Sequence, residues 1–276
     1  IVGLFAGICS LEGHNSGKKG NKYQTFDGKM AAVAFAHKSV RNARLNYKNP
    51  EYELIARGYK RLNSHVERKQ PVTTSMLLAM HRQLEADRSV DNADTNDMLW
   101  GSILLGYFFL DRSSELWGPI VQDYSTGGRT HCIRAEDVTV QDRDGVPIQA
   151  SRGQGHSVEI HFRSHKGDQT RQGSTVRHYR SGQRHLCPVA AAEACLAIRQ
   201  KWIQAGKRLG PYLTSVNGSA TISKSSVANL IKAAATNLVL NPNDYSTHSL
   251  RIGGACALLA AGKSELVIRL MGRWAS

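Results

Sequence analysis

The stretch THSLRIGGACALLAAGKSELVIRLMGRWAS, residues 247 to 276, decides how this chain is read. It opens an apolar, Ala-rich run of helical character with His248 and Arg251 three positions apart. Residues i and i+3 share one face of a helix, so the imidazole and the guanidinium can reach a single ligand together. Thr247 stands where an N-cap is expected, and a helix N-terminus flanked by His and Arg favours an anion, phosphate above all. The run breaks at Gly262, resumes from Lys263 to Met271 and closes on Gly272-Arg273-Trp274. One reading is a phosphate-binding face with an indole N–H beside it; the other is an ordinary solvated helix face.

Working outward, the composition favours the first. The 276 residues suffice for one large domain or two smaller ones with a sizeable core. A hydrophobic share of 41% with 21% charged residues suits a globular rather than a disordered chain. Lys and Arg number 36 against 22 Asp and Glu, and the resulting +14 points to a polyanionic partner. Nucleic acid comes first, because cations that neutralise its phosphates release counterions and gain affinity. A membrane surface fits less well: the charge is spread along the chain and no basic amphipathic helix stands out. The longest apolar run, Met98 to Leu110, is too short to cross a bilayer and reads as a buried helix.

The cysteines, Cys9, Cys132, Cys187, Cys195 and Cys256, are odd in number and contain no C-x-x-C pair. That argues against a disulfide framework or a zinc site, so no metal is expected and a reducing, intracellular compartment is. The opening IVGLFAGI lacks a basic segment before it and reads as a cut through a helix or loop rather than a signal peptide. Residues 12 to 22 read as an exposed loop. Their spacing falls one residue short of a nucleotide phosphate loop and lacks its Ser or Thr.

From Thr25 the pattern is helical, with Met30, Val33 and Ala34 on one side and His37, Lys38, Arg41 and Arg44 on another. A second helix, Tyr52 to Asn63, carries Arg57, Lys60 and Arg61. Between Lys38 and Lys69 the only acidic residues are Glu51, Glu53 and Glu67. With Tyr47, Tyr52 and Tyr59 interleaved, this basic unit suits a surface that tracks a phosphate backbone. Residues 67 to 71, ERKQP, read as a linker before a new helix entry at Thr73 and Thr74.

Helices are then expected over Met76 to Leu84 and, after the polar spacer Asp91 to Asp97, over the apolar run ending at Leu110. Arg112 follows at once. An Arg at the exit of the most buried helix is costly unless paired or functional. It either salt-bridges Glu115 or Asp111 at the surface or serves a site, and the two agree if Glu115 orients it. Between Thr130 and Val189 the period shifts to that of strands: Cys132 to Val140, the alternation Val158, Ile160, Phe162, and Ser174 to Arg180. Asp144-Gly145 marks a turn. The segment from Arg163 to Arg184, with Lys166 and Arg177 in it, is a basic hairpin reaching for DNA or an edge strand kept soluble by charge. Helices return over Pro188 to Ala205 and Ser223 to Leu238. Met76, Met80, Trp100 and Trp202 read as core.

Arg112 with Glu115 after a buried helix, a hairpin Lys166, His248-x-x-Arg251 and Gly272-Arg273-Trp274, in that order, resemble the tyrosine recombinases, or phage-type integrases. The resemblance runs from about Thr25 onward. It implies a mainly α fold with a small antiparallel β-sheet: an exposed N-terminal remnant over residues 1–22, a partial helical core-binding domain over 23–70 that clamps DNA, and a catalytic domain over 71–276. It implies DNA integration and recombination through a phosphotyrosyl intermediate. Arg112 and Arg251 would grip the phosphate oxygens, His248 would bond the phosphate and assist proton transfer, and Lys166 would be the general acid. Trp274 would donate its indole N–H, and Glu115 would support.

No cofactor is implied, since Arg and Lys supply the charge. DNA contacts are expected from Lys38, Arg41, Arg44, Lys60, Arg61, Arg163 and Arg177. The resemblance further implies a homotetramer on paired DNA sites for the full-length form, in the nucleus of a eukaryote or the cytoplasm of a bacterium. Two features depart from the pattern. Ile252-Gly253-Gly254 replaces a His or Lys after the second Arg. The nucleophilic Tyr is expected shortly after Trp274, whereas the sequence stops at Ser276, and Tyr245 lies on the wrong side of His248. The expectation is therefore a truncated, mobile-element-like member that binds DNA without forming the covalent intermediate. The alternative is a non-catalytic DNA-binding module.

Overall fold

Apolar side chains on nearly every side of Met98 to Leu110 require that segment to be enclosed, and the computed structural model of the protein encloses it. It describes every residue except 1, 14–18, 44, 46–48, 63–67, 119–130, 150–152, 165–171, 184, 275 and 276. The chain divides into two compact units, Ile1–Arg68 and Lys69–Ser276. Among the described residues it is mainly helical with one three-stranded antiparallel sheet, the α+β architecture expected.

In the first unit, α1 (Val2–Leu11), α2 (Tyr23–Arg41) and α3 (Pro50–Leu62) surround Phe26. The Phe26 ring lies between Tyr59, at 5.1 Å, and Tyr52, at 6.0 Å, both stacked. This corrects two expectations. Tyr52 and Tyr59 are core residues rather than part of a basic surface, their hydroxyls donating to Asp27 Oδ1 and the Asn21 carbonyl at 2.7 Å each. Residues 1–22 are not an exposed remnant throughout: Ala6 and Cys9 of α1 are buried in the same core.

In the second unit, α4 (Thr74–Ala86), α5 (Ala93–Phe108), the short α6 (Ser113–Leu116), α7 (Pro188–Gln204), α8 (Lys224–Asn237), α9 (His248–Ala260) and α10 (Glu265–Gly272) follow in order. Thr73, Ser223 and Ser264 cap α4, α8 and α10, each side-chain oxygen accepting a first-turn N–H. Between α5 and α7, a Cβ on Gly101 would stand 2.6 Å from Cys195 Sγ, so only glycine lets these helices touch. The same is true where α9 crosses α5. A Cβ on Gly253 would lie 2.1 Å from the Val72 carbonyl oxygen, and one on Gly254 2.1 Å from that of Tyr107. The glycine pair thus seats α9 against the end of α5 and the Val72 backbone.

Strands β1 (Val138–Gln141), β2 (Ser157–Phe162) and β3 (Ser174–Tyr179) pair in that order, with Ile160 opposite both Val138 and Val176. The alternation is as expected, with Val158, Ile160 and Phe162 facing the core. The first strand is shorter than expected: Ala135–Asp137 form a 3-10 turn, because the Asp137 carboxylate accepts the Arg134 N–H at 3.2 Å. No helix among the described residues is long and apolar enough to cross a membrane.

Candidate phosphate-binding site

The site is built where α5 ends. Leu110 adopts a left-handed conformation (φ 52°), and the Asp111 N–H reaches back to the Gly106 carbonyl at 3.0 Å. This closure usually employs glycine, and a residue with a Cβ holds it at a cost of about 1 kcal/mol. The turn aims the Leu110 carbonyl at α9, where Arg251 Nη1 donates to it. Arg251 Nη2 donates to the Gly272 carbonyl at 2.6 Å. Its guanidinium also lies over the Trp274 ring, 5.2 Å from the centroid.

After the turn, Arg112 takes the N-cap position of α6. Glu115 Oε2 accepts the Arg112 backbone N–H at 2.8 Å, and Glu115 Oε1 accepts from Arg112 Nη1 at 2.9 Å. One buried carboxylate thereby fixes both the backbone and the head of Arg112, whose side chain keeps 26% of its surface exposed. Arg112 is salt-bridged to Glu115, and the bridge fixes the direction of its partly exposed guanidinium.

Sequence reasoning gave no role to Arg273, which stands at the centre of the network. It ends α10 with φ 54°, and its side chain is 1% exposed. Nη2 donates to Asp111 Oδ1 at 3.0 Å and Glu115 Oε2 at 2.8 Å, while Nη1 donates to the Phe109 and Met271 carbonyls at 3.0 and 3.2 Å. The guanidinium lies 3.5 Å from the centre of the Phe162 ring. A signal was present in the sequence: Asp111 and Glu115 flank Arg112 at a buried helix exit, which leaves one carboxylate requiring another cation.

The electrostatics follow from this packing. Burial would raise the Glu115 carboxyl, but Arg273 and Arg112 overcome it and hold the group below its ordinary value. Burial wins at Asp111, pushing it up to about 8 despite Arg273. Its Oδ2 has no partner among the described residues. Arg251 is brought down to about 10 by burial and by the neighbouring Arg112 and Arg273. Arg112 and Arg273 share the Glu115 carboxylate, Arg273 also holds Asp111, and Arg251 is held by carbonyls, so guanidinium groups outnumber carboxylates and an anion would relieve the excess charge.

Arg112, Glu115, Arg251 and Trp274 are therefore brought together. His248 lies on the first turn of α9 with Arg251; partial desolvation of its ring and the Arg251 charge lower its pKa, favouring the neutral imidazole. The cap of this helix differs from expectation. Thr247 is buried with helical dihedrals, and Ser246 Oγ accepts the His248 N–H at 3.3 Å while Ser249 Oγ accepts the Ser246 N–H at 3.0 Å. A serine at each end of the turn satisfies the first donors and frees Thr247 to pack inward. Lys166 lies outside the described residues, in the connection between β2 and β3.

Among the expected DNA contacts, Lys38 and Arg41 are exposed in the last turn of α2, and Lys60 and Arg61 in the last turn of α3. Lys60 Nζ sits over the Tyr23 ring at 4.7 Å. Arg44 lies outside the described residues. Arg163 binds Asp137 and Glu136 at 2.6 and 2.7 Å, and Arg177 binds its cross-strand neighbour Glu159 at 2.6 Å. Both of these arginines are engaged within the sheet region.

No protein-family model and no curated protein matches this sequence. Among solved structures, the XerH site-specific recombinase bound to palindromic difH substrate, in a post-cleavage complex, aligns with a TM-score of 0.60 at 11% identity, over 100% of this chain and 66% of that one. XerH in a pre-cleavage complex with difH substrate gives a TM-score of 0.49 at 10% identity, over 91% and 64%. The chain has a tyrosine-recombinase-like α+β fold and spans about two thirds of the length of the recombinase chain it matches.

Proposed function

We propose that this chain binds double-stranded DNA as a tyrosine-type site-specific recombinase or integrase does, with Arg112 and Arg251 gripping one backbone phosphate. The observation that carries this reading is the convergence of two guanidinium groups from distant parts of the sequence, each anchored by protein oxygens, in a cluster where cations outnumber carboxylates. Planar guanidinium groups bind phosphate oxygens in bidentate fashion, and anchored ones lose little freedom on doing so. The fold and the net charge of +14 support the same reading.

In the strand breakage and rejoining that this fold class suggests, negative charge builds on the phosphate oxygens, and fixed cations there stabilise the transition state. Arg112 and Arg251 would carry that charge. His248, favoured as neutral, can bond the phosphate or move a proton, and the Trp274 indole can donate. Lys166 would protonate the departing oxygen. Lys38, Arg41, Arg44, Lys60 and Arg61 would contact flanking phosphates, with Arg163 and Arg177 contributing where their carboxylate partners permit. We assign no nucleophile among the residues of this sequence, and a tetramer on paired sites belongs to the same proposal.

Duplex binding measured across a salt series tests this. Arg112→Ala and Arg251→Ala should each weaken binding and reduce the salt slope by about 1. Unchanged affinity in both would sink the reading. A nicked suicide substrate should leave no covalent adduct on this chain; a trapped adduct would reveal a nucleophile within it.

A further inference from the structure

Arg273 is linked to both halves of the proposed phosphate grip through shared partners while its own side chain is out of solvent. Its side chain is 1% exposed. Through Glu115 Oε2 it shares the carboxylate that fixes Arg112. Through Nη1 it holds the Phe109 carbonyl, one residue before the Leu110 carbonyl that receives Arg251. Its backbone contributes as well. In the left-handed conformation it closes α10, with the Arg273 N–H donating to Leu270 at 3.1 Å and the Trp274 N–H to Arg269 at 3.0 Å. That closure places the adjoining Gly272 carbonyl where Arg251 Nη2 finds it.

The division of the Glu115 carboxylate has a consequence for Arg112. Arg273 and the Arg112 backbone N–H occupy Oε2, so Arg112 engages Oε1 through Nη1. Were Arg273 absent, Oε2 would keep only the Arg112 backbone N–H, which leaves one of its lone pairs to the Arg112 head, and a bidentate pair would draw that head inward. Asp111 Oδ1 would also lose its donor in a buried setting. A lysine cannot replace this arrangement, because one ammonium cannot span two carboxylates and two carbonyls as a planar five-donor fork does.

We propose that Arg273 is a positioning residue that sets the separation and aim of Arg112 and Arg251. This rests on reading those two as the phosphate grip. A double-mutant cycle separates the two ideas. Affinity for a duplex oligonucleotide is measured at fixed ionic strength for the full chain, with Arg273→Lys made both in the otherwise unchanged protein and in an Arg112→Ala/Arg251→Ala background. Circular dichroism confirms that each variant is folded.

The expected result is a loss of about ten-fold for Arg273→Lys in the first background and less than about two-fold in the second. Equal losses in both would show a general structural role and overturn the proposal, as would no loss in the first. Asp111→Ala, which removes one acceptor of Arg273 and leaves both Arg112–Glu115 bonds in place, guards against a lysine variant that fails to fold. It should show a smaller loss that likewise vanishes in the second background, and persistence there overturns the proposal. If Arg112→Ala/Arg251→Ala binds as tightly as the unaltered chain, the phosphate grip itself is wrong, and the positioning role falls with it.

Discussion

Glu115 and Arg273, far apart in the sequence, meet at 2.8 Å with both side chains out of solvent. The same carboxylate holds Arg112, so this one ion pair links the end of α10 to the start of α6. Glu115→Gln keeps the shape but removes the charge facing two guanidinium groups. Breaking a buried pair on one side costs about 3–5 kcal/mol, so urea unfolding should show a loss of that order. Wild-type stability in Glu115→Gln would mean that the pair is not closed in solution.

The seating of α9 depends on Gly254. A Cβ there would lie 2.1 Å from the Tyr107 carbonyl oxygen and 2.5 Å from Leu110 Cδ2, the first of which is backbone and cannot swing away. Gly254→Ala should destabilise by at least about 1–3 kcal/mol and weaken duplex binding by moving Arg251. Gly28 is the contrasting case: it sits inside α2, and nothing lies within 4 Å of its Cβ position. Gly28→Ala should raise stability by about 0.5–1 kcal/mol. Paired thermal melts of the two alanine variants, moving in opposite directions, check both.

The raised Asp111 pKa makes stability depend on pH in a definite direction. Between about pH 4 and about 8 the folded carboxyl keeps its proton while the unfolded one has lost it. The folded state then binds more protons, so stability falls as pH rises through that window. Burial lowers His178 to about 4 and also lowers His81 and His248, which acts in the opposite sense but only below about 6.5, their ordinary value. The decline from about pH 6.5 to 8 is therefore the Asp111 signature among these groups. Denaturation midpoints should drift downward across it in the unaltered chain and stay flat in Asp111→Asn; an identical drift in both would rule out Asp111 as its source.

Arg163 and Lys60 should behave differently on DNA. Arg163 is tied to Asp137 and Glu136 by bonds of 2.6 and 2.7 Å, whereas Lys60 rests over an aromatic face. Releasing Arg163 to a phosphate requires giving up those carboxylates, so Arg163→Ala should change the salt slope of duplex binding less than Lys60→Ala does. A larger effect at Arg163 would show that the sheet pairs open on binding.

Much of the fold was legible because its periods are local. The apolar run ending at Leu110, the alternation of Val158, Ile160 and Phe162, and the helix entry at Thr73 each declare their element within a few residues. Tyr52 and Tyr59 were misread as surface because an amphipathic aromatic suits both a basic face and a core, and only the arrival of Phe26 between them decides. The N-terminal residues were misread for a similar reason: a short apolar segment does not announce what it packs against.

By itself the sequence determined most of the helical and strand elements, the excess of positive charge and the identity of Arg112, Glu115, Lys166, His248, Arg251 and Trp274 as residues worth placing together, of which Lys166 lies outside the described residues. Only the tertiary structure decided that Arg273 anchors the cluster and Asp111 takes it as a partner, and that Leu110 and Gly272 present carbonyls to Arg251. Periodicity and capping act over neighbouring residues and leave a trace in their order. A buried charge finds its partner through space, and its energy depends on which distant groups exclude water around it.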